Sequence, residues 1–392
     1  MNRSSARILT THCGSLPRPR ELIGSLHAKD SGDAYDRDAL AARVRQSVSE
    51  VVRRQIELGI DIVDDGEHSK ASFATYARQR IGGLTRTERA RPRLAGVSRD
   101  AQAFPGAYED MKVMFGARAA AAGRPPGMMA LVCTGPITYI GKEELAADLA
   151  NLKLALGGAR REAFVTAISP TNLEMYFANE FYPSDEEYLV ALAEAMNQEY
   201  RAIVDAGFLL QIDDPRLITH YNRTPGLSVE ECRNFIASHI EVVNHSLKGI
   251  PEDRVRFHTC YSVNVAPRIH DLELRHYVDL LLTIKAQAYS IEAANPRHEH
   301  EWQVWEEVKL PAGKILIPGA VSHCVYQVEH PELVAQRIER FARVVGRENV
   351  IAGNDCGFAT SAAGDEVHPD VAWAKLAALS EGARIASQRL WS

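Results

Sequence analysis

The sequence predicts an α/β protein built as a single (β/α)8 barrel over residues 1–392, and three observations carry that expectation. Short strand-like runs recur eight times along the chain. Amphipathic stretches separate most of them; in "PELVAQRIERFARVVG" the apolar residues return at helical spacing. Strands that alternate with helices imply a parallel sheet, and eight of them close one into a barrel. Finally, nearly every run ends in polar, chemically capable residues. An open, doubly wound sheet is the competing architecture.

Taken in order, the first strand is 7–13 (RILTTHC), ending in "HCGS". A loop and a helix from about Asp36 follow within 14–58. The second strand, 59–65 (GIDIVDD), runs into "DDGEH"; its Asp64–Asp65 pair reads as an exposed turn. Residues 66–128 contain "RTERARPRLAG" and "AAAAGRPPGMM" and read as a basic, flexible excursion from the barrel. The third strand, 129–134 (MALVCT), ends in "CTGP". A helix over 185–204 leads to 206–213 (AGFLLQID), which ends in "DDP". Then come 254–260 (RVRFHTC), 287–292 (QAYSIE) and 314–320 (KILIPGA), running into "HTCY", "EAANPRHEH" and "SHC". A helix over 332–346 precedes the last strand, 349–355 (NVIAGND), with "NDCGF". In a barrel these ends converge on one face. Polar residues mark strand ends in any protein, which accounts for one such end but poorly for eight in register.

Composition narrows the function. The chain is 46% hydrophobic with a formal net charge of −6, so nothing draws it to nucleic acid or to an anionic membrane. No apolar run approaches the ~20 residues that span a bilayer. The start, "MNRSSARILTTHCGS", lacks the apolar segment of a secretory signal, and a cytoplasmic protein is expected. A chain of this length buries a large core without staples, so a bound metal would serve chemistry more than folding. The six cysteines are scattered, as inert, metal-bound or catalytic cysteines are. The sequence leaves the oligomeric state open and admits a homo-oligomer.

If the strand ends meet, His258, Cys260, Glu292 and Cys356 meet with them. Two thiols, an imidazole and a carboxylate form a donor set that zinc accepts. Residues 258 and 260 point to the same side of a strand, so both can reach one ion. An isolated H-x-C is more often an ordinary core pair. Cys13 and Cys133 read as small packed residues, and Cys232 as inert on a helix. His323 and Cys324 are neighbours in a strand, so they face opposite ways and do not read as a nucleophile–base pair.

"HTCYSVN", "YSIEAANPR" and "GNDCGF" resemble the cobalamin-independent methionine synthase family in its catalytic C-terminal TIM barrel. "TTHCGSLPRP" at 10–19, "TGPIT" at 134–138 and "LQIDDP" at 210–215 are similar to further motifs of that family, in the same order. The resemblance spans roughly residues 8–360 and is to the short, single-barrel members. It implies a zinc ion held by His258, Cys260, Glu292 and Cys356. It implies that Asp213 holds the amino group of homocysteine, that Ser15 touches the amino acid, and that Glu67 contacts substrate. His323 is similar in position to a late family histidine, a candidate proton donor. The implied activity is methyl transfer to homocysteine, from a methyl-folate or a methyl-corrinoid. Uroporphyrinogen decarboxylase shares the broader superfamily but needs no zinc and leaves H-x-C…E…C unexplained.

Zinc chemistry agrees with that expectation. A thiol of pKa ~8.5 is mostly protonated at neutral pH, and zinc makes it a thiolate. A carboxylate ligand is the most easily displaced of the four. One departure keeps a second transferase in view. The family's D-E-P reads "DDP" here, with Arg216 next, and Arg18 and Arg297 also lie in motif loops. Guanidinium groups suit a sulfonate, so an epoxyalkane:coenzyme M transferase, which opens an epoxide with a zinc-bound thiolate, is the alternative. A zinc-binding protein without catalysis is a third reading; it would need the four ligands but no converging polar ring.

Overall fold

The computed structural model describes residues 1–87, 98–111, 130–158, 161–261, 263, 266–362 and 367–392. Ten strands are present among them: β1 (Leu9–Thr10), β2 (Ile81–Thr87), β3 (Ala130–Tyr139), β4 (Phe164–Ile168), β5 (Phe177–Asn179), β6 (Leu209–Asp213), β7 (Val255–Thr259), β8 (Ala288–Ile291), β9 (Ile315–Val321) and β10 (Ile351–Asn354). Seven form a parallel sheet in the order β1-β10-β9-β8-β7-β6-β4. The sheet curls on itself. Phe164, Leu209, Ala288, Ile315, Ile317 and Ile351, from β4, β6, β8, β9 and β10, pack with Ile62 as one buried cluster.

The expected closed, eight-stranded barrel is therefore corrected in two places. The predicted strand 59–65 forms no ladder. It bridges the gap between β1 and β4 by isolated bonds: the Asp61 and Ile62 amides donate to Thr10 O (both 3.1 Å), and Val63 pairs with Ala163. The reason lies in its acids. Asp61 takes the Thr10 amide on its side chain (2.9 Å), while Asp64 and Asp65 accept from the Gly66 and Glu67 amides (2.8 and 2.9 Å). Side chains thus claim backbone donors and bend the chain out of strand geometry. Both acids are buried, so Asp64–Asp65 is not an exposed turn.

The second correction concerns 129–134. It lies in β3, which pairs antiparallel with β2 and parallel with β5 in a separate three-stranded sheet. Its place beside β6 belongs to β4, in the stretch "AFVTAIS" that the sequence reading passed over. That run is short and apolar and stops at Ser169, whose hydroxyl caps the helix beginning at Pro170. Part of the 66–128 excursion is β2; most of "RTERARPRLAG" and all of "AAAAGRPPGMM" lie outside the described residues.

Helices cover the outside of the curled sheet. The helix Asp185–Asp205 starts at Ser184, whose hydroxyl accepts from the Glu187 amide, with acidic residues in its first turn. It buries Tyr188, Leu192, Met196, Tyr200 and Ile203, a stripe at helical spacing. Truncating fully buried Leu192 to Ala would cost about 2–5 kcal/mol. The helix Pro331–Val345 buries Val334, Ile338, Phe341 and Ala342 in the same way. Among the described residues no helix is long and apolar enough to cross a membrane.

Candidate active site

β7 presents His258 in register with Asp213 of β6 on one side and Ser290 of β8 on the other. In-register residues of parallel strands share a face, so an acid, an imidazole and a hydroxyl stand in one row. His258 Nδ1 lies 3.1 Å from Ser290 Oγ and 3.6 Å from Cys13 Sγ. Its Nε2 is buried and makes no hydrogen bond. Two residues on, Cys260 Sγ sits 3.1 Å from Cys356 Sγ, which follows β10. The ligand atoms of His258, Cys260 and Cys356 lie within 4.8 Å of one another, and all three residues are buried.

The two neighbouring thiols disfavour each other's ionisation. The Cys356 thiol is pushed well up, first by its hydrogen bond to Cys260 and then by burial. Burial works to lower the His258 pKa, but Cys13 and Cys260 beside it outweigh that and raise it. An imidazole nitrogen left bare in a dry site costs free energy. A cation that takes this nitrogen and two thiolates would remove that cost, so the residues fit zinc. Ser290, bonded to the other ring nitrogen, fixes the imidazole's orientation.

Glu292 lies outside the 4.8 Å group. Its oxygens are occupied by the Tyr261 amide (2.7 Å), Asn295 Nδ2 (2.8 Å) and Arg268 (3.4 Å). Burial pushes its pKa up to about 8, opposed by Arg268. His323 is fully buried and does not line the cavity at the strand ends.

That cavity gathers Ser15, Glu67, Asp213, Arg216, His258, Cys260 and Cys356 on one wall or another. The sequence placed these seven together; the structure adds Cys13, which it had read as packing only. Asp213 is 6% exposed, and burial pushes its pKa up to about 7. Gln211 occupies its Oδ1 (2.7 Å). Asp214 instead faces inward and accepts from Thr171 and the Leu217 amide (3.1 Å), a structural role. Arg216 pairs with Glu174 and donates to Thr171 O (3.1 Å).

Glu67 carries the strain of the site. Its φ is +59°, in the left-handed region that side chains avoid, and it is the one such non-glycine among the described residues. Arg18 clamps its carbonyl (2.9 and 3.2 Å), and Thr166 donates to its Oε1 (2.8 Å). Oε2 is buried without a hydrogen bond, 3.8 Å from Arg18. Lys70 in turn holds Thr166 Oγ1 (2.8 Å), a support that the sequence reading missed. The motif loops are stitched together: the Phe358 amide donates to Ser15 O (3.0 Å) and Leu16 to Gly66 O (3.1 Å). Two glycines permit this. A Cβ on Gly357 would stand 2.0 Å from Ser15 Oγ, and one on Gly14 would stand 2.5 Å from Thr166 Cγ2.

Fold and site together define a class: a curled parallel α/β sheet whose strand ends hold a buried thiol–imidazole cluster beside buried carboxylates. More particularly, the chain belongs to the cobalamin-independent synthase family, whose catalytic domain matches residues 177–379. It is 25% identical over 352 residues to a methionine synthase of Thermococcus kodakarensis, covering 89% of this chain and 86% of the relative. It is 22% identical over 387 residues to a methionine synthase of Saccharolobus islandicus, covering 97% and 95%. Among solved structures, a B12-independent methionine synthase from Shewanella sp. W3-18-1 in complex with selenomethionine superposes with a TM-score of 0.70 at 18% identity, covering 98% of this chain and 99% of that one. One from Listeria monocytogenes gives 0.65 at 17%. At these identities the structural likeness is one of fold.

Proposed function

We propose that the protein transfers a methyl group from a methyl-folate to the sulfur of homocysteine, using a zinc ion held by His258, Cys260 and Cys356, with Glu292 as the fourth, displaceable ligand. The observation that carries this reading is the pairing of a buried Cys–Cys–His cluster with Asp213 and Glu67 in one cavity. Family membership and the methionine synthase relatives support it. The bound metal would supply a thiolate at neutral pH.

The chain's own residues do the rest. Ser290 orients the imidazole, and Asn295, Arg268 and the Tyr261 amide hold the Glu292 carboxylate. Asp213 and the unbonded oxygen of Glu67 accept the substrate ammonium; an arriving cation offsets the burial that raises the Asp213 pKa. Lys70 and Thr166 keep Glu67 aimed. The epoxide alternative asks for a cation beside Asp213 and a proton donor near the thiol. Arg216 is already paired with Glu174, and His323 does not line the cavity, so the amino-acid thiol is favoured.

The test offers the zinc-loaded protein 5-methyltetrahydrofolate with homocysteine, and an epoxide with 2-mercaptoethanesulfonate. Methionine formation with no thioether from the second pair is expected. Turnover of the second pair alone would replace this reading with the epoxide one.

A further inference from the structure

The helix Arg216–Arg223 follows Asp213 directly and runs along the cavity. Arg216, Thr219 and Arg223 all line it, and their spacing of three and four puts them on one helix face. The two arginines differ in their partners. Arg216 is held by Glu174, whereas Arg223 makes no hydrogen bond or ion pair among the described residues. Seven residues of helix separate them by about 10 Å. The same cavity is lined by apolar and aromatic side chains, Phe73, Met175, Tyr176 and Val263. Tyr176 lies within electrostatic reach of both Arg223 and Cys260, which ties the two ends to one cavity.

We infer that Arg223 holds the anionic end of the alkyl donor. The inference rests on the donor and acceptor proposed above. Homocysteine carries its ammonium and carboxylate on one carbon, so an acceptor seated on Asp213 keeps its carboxylate there and cannot reach two helical turns away. An anion at Arg223 therefore belongs to the other substrate. The donor that fits is elongated, with a flat or apolar body against Tyr176 and Phe73 and a carboxylate at the far end. A guanidinium in a cavity mouth offers such a group a bidentate, charge-assisted contact.

Binding of 5-methyltetrahydrofolate and of its diamide, with both glutamate carboxylates made neutral, is measured by titration calorimetry on the zinc-loaded protein and on Arg223→Gln and Arg223→Lys. The variant Arg223→Gln is expected to lose about tenfold to a hundredfold in affinity for the diacid and nothing for the diamide. Arg223→Lys recovers part of the loss, and the homocysteine Kd stays unchanged, which also shows that the fold is intact. An equal loss on diacid and diamide overturns the assignment. So does a loss confined to homocysteine or to 2-mercaptoethanesulfonate, because the anion would then sit on the acceptor. If the unmodified protein binds neither folate, the donor proposed above is wrong and this inference falls with it.

Discussion

Asp213→Asn removes one charge and almost no volume. The carboxylate is 6% exposed, and its Oδ1 is taken by Gln211 at 2.7 Å, leaving Oδ2 for a ligand. An asparagine amide can keep its carbonyl towards Gln211, so the fold should survive. What disappears is a charge-assisted hydrogen bond to the substrate ammonium, worth about 1.5–3 kcal/mol in a dry site. That corresponds to about a tenfold to 150-fold rise in KM for homocysteine. The assay compares initial rates of S-methylation of homocysteine and of 4-mercaptobutanoate, which lacks the ammonium. The variant should lose the first and leave the second unchanged or improved. Equal losses on both thiols, or none on either, would refute the role given to Asp213.

Other outcomes follow from the same geometry. Purified protein should hold about one zinc per chain; Cys356→Ser and Cys260→Ser should lose most of it, while Cys13→Ser keeps it, and metal analysis showing full zinc in Cys356→Ser would sink the ligand set. Glu67→Gly relieves a left-handed residue worth about 1–2 kcal/mol but loses a hydrogen bond worth about 1 kcal/mol, so stability to denaturant should stay within about 1 kcal/mol while the KM for homocysteine rises at least about tenfold; a large loss of stability would refute the strain argument. Burial alone would lower the His298 pKa, but its bonds to Asp271 (3.3 Å) and Glu301 (2.9 Å) raise it to about 9. A raised basic group stabilises the fold fully below its unfolded value and loses that stabilisation as pH climbs through the folded one. Unfolding of the wild type should therefore become easier by about 3 kcal/mol from about pH 6 to about pH 10, relative to His298→Gln; parallel curves would exclude the linkage.

Much of the site was legible because strand periodicity is rigid. H-x-C in "RVRFHTC" puts both side chains on one side of β7 wherever that strand lies. "LQID" and "GND" end apolar runs in acids, which needs a reason in any fold. β4 was less legible: five apolar and β-branched residues cannot be told from a helix segment by pattern alone. The run 59–65 misled in the other direction. Its apolar pattern reads as a strand, but its acids capture backbone amides, a competition that depends on which groups lie within reach.

The sequence by itself determined the chemistry on offer: two thiols, an imidazole and acids at the ends of parallel strands. The tertiary structure decided which of them meet. β7 and β10 are separated in the sheet by β8 and β9. In a flat sheet three spacings of about 4.8 Å would hold Cys260 and Cys356 about 14 Å apart. Their sulfurs are 3.1 Å apart because the sheet curls, driven by the apolar cluster that fills its inner face. The same packing set Glu292 against Asn295 and Arg268, joined Arg216 to Glu174 and left Arg223 without a partner among the described residues. Such pairings depend on distances between residues remote in the chain, and no local pattern encodes them.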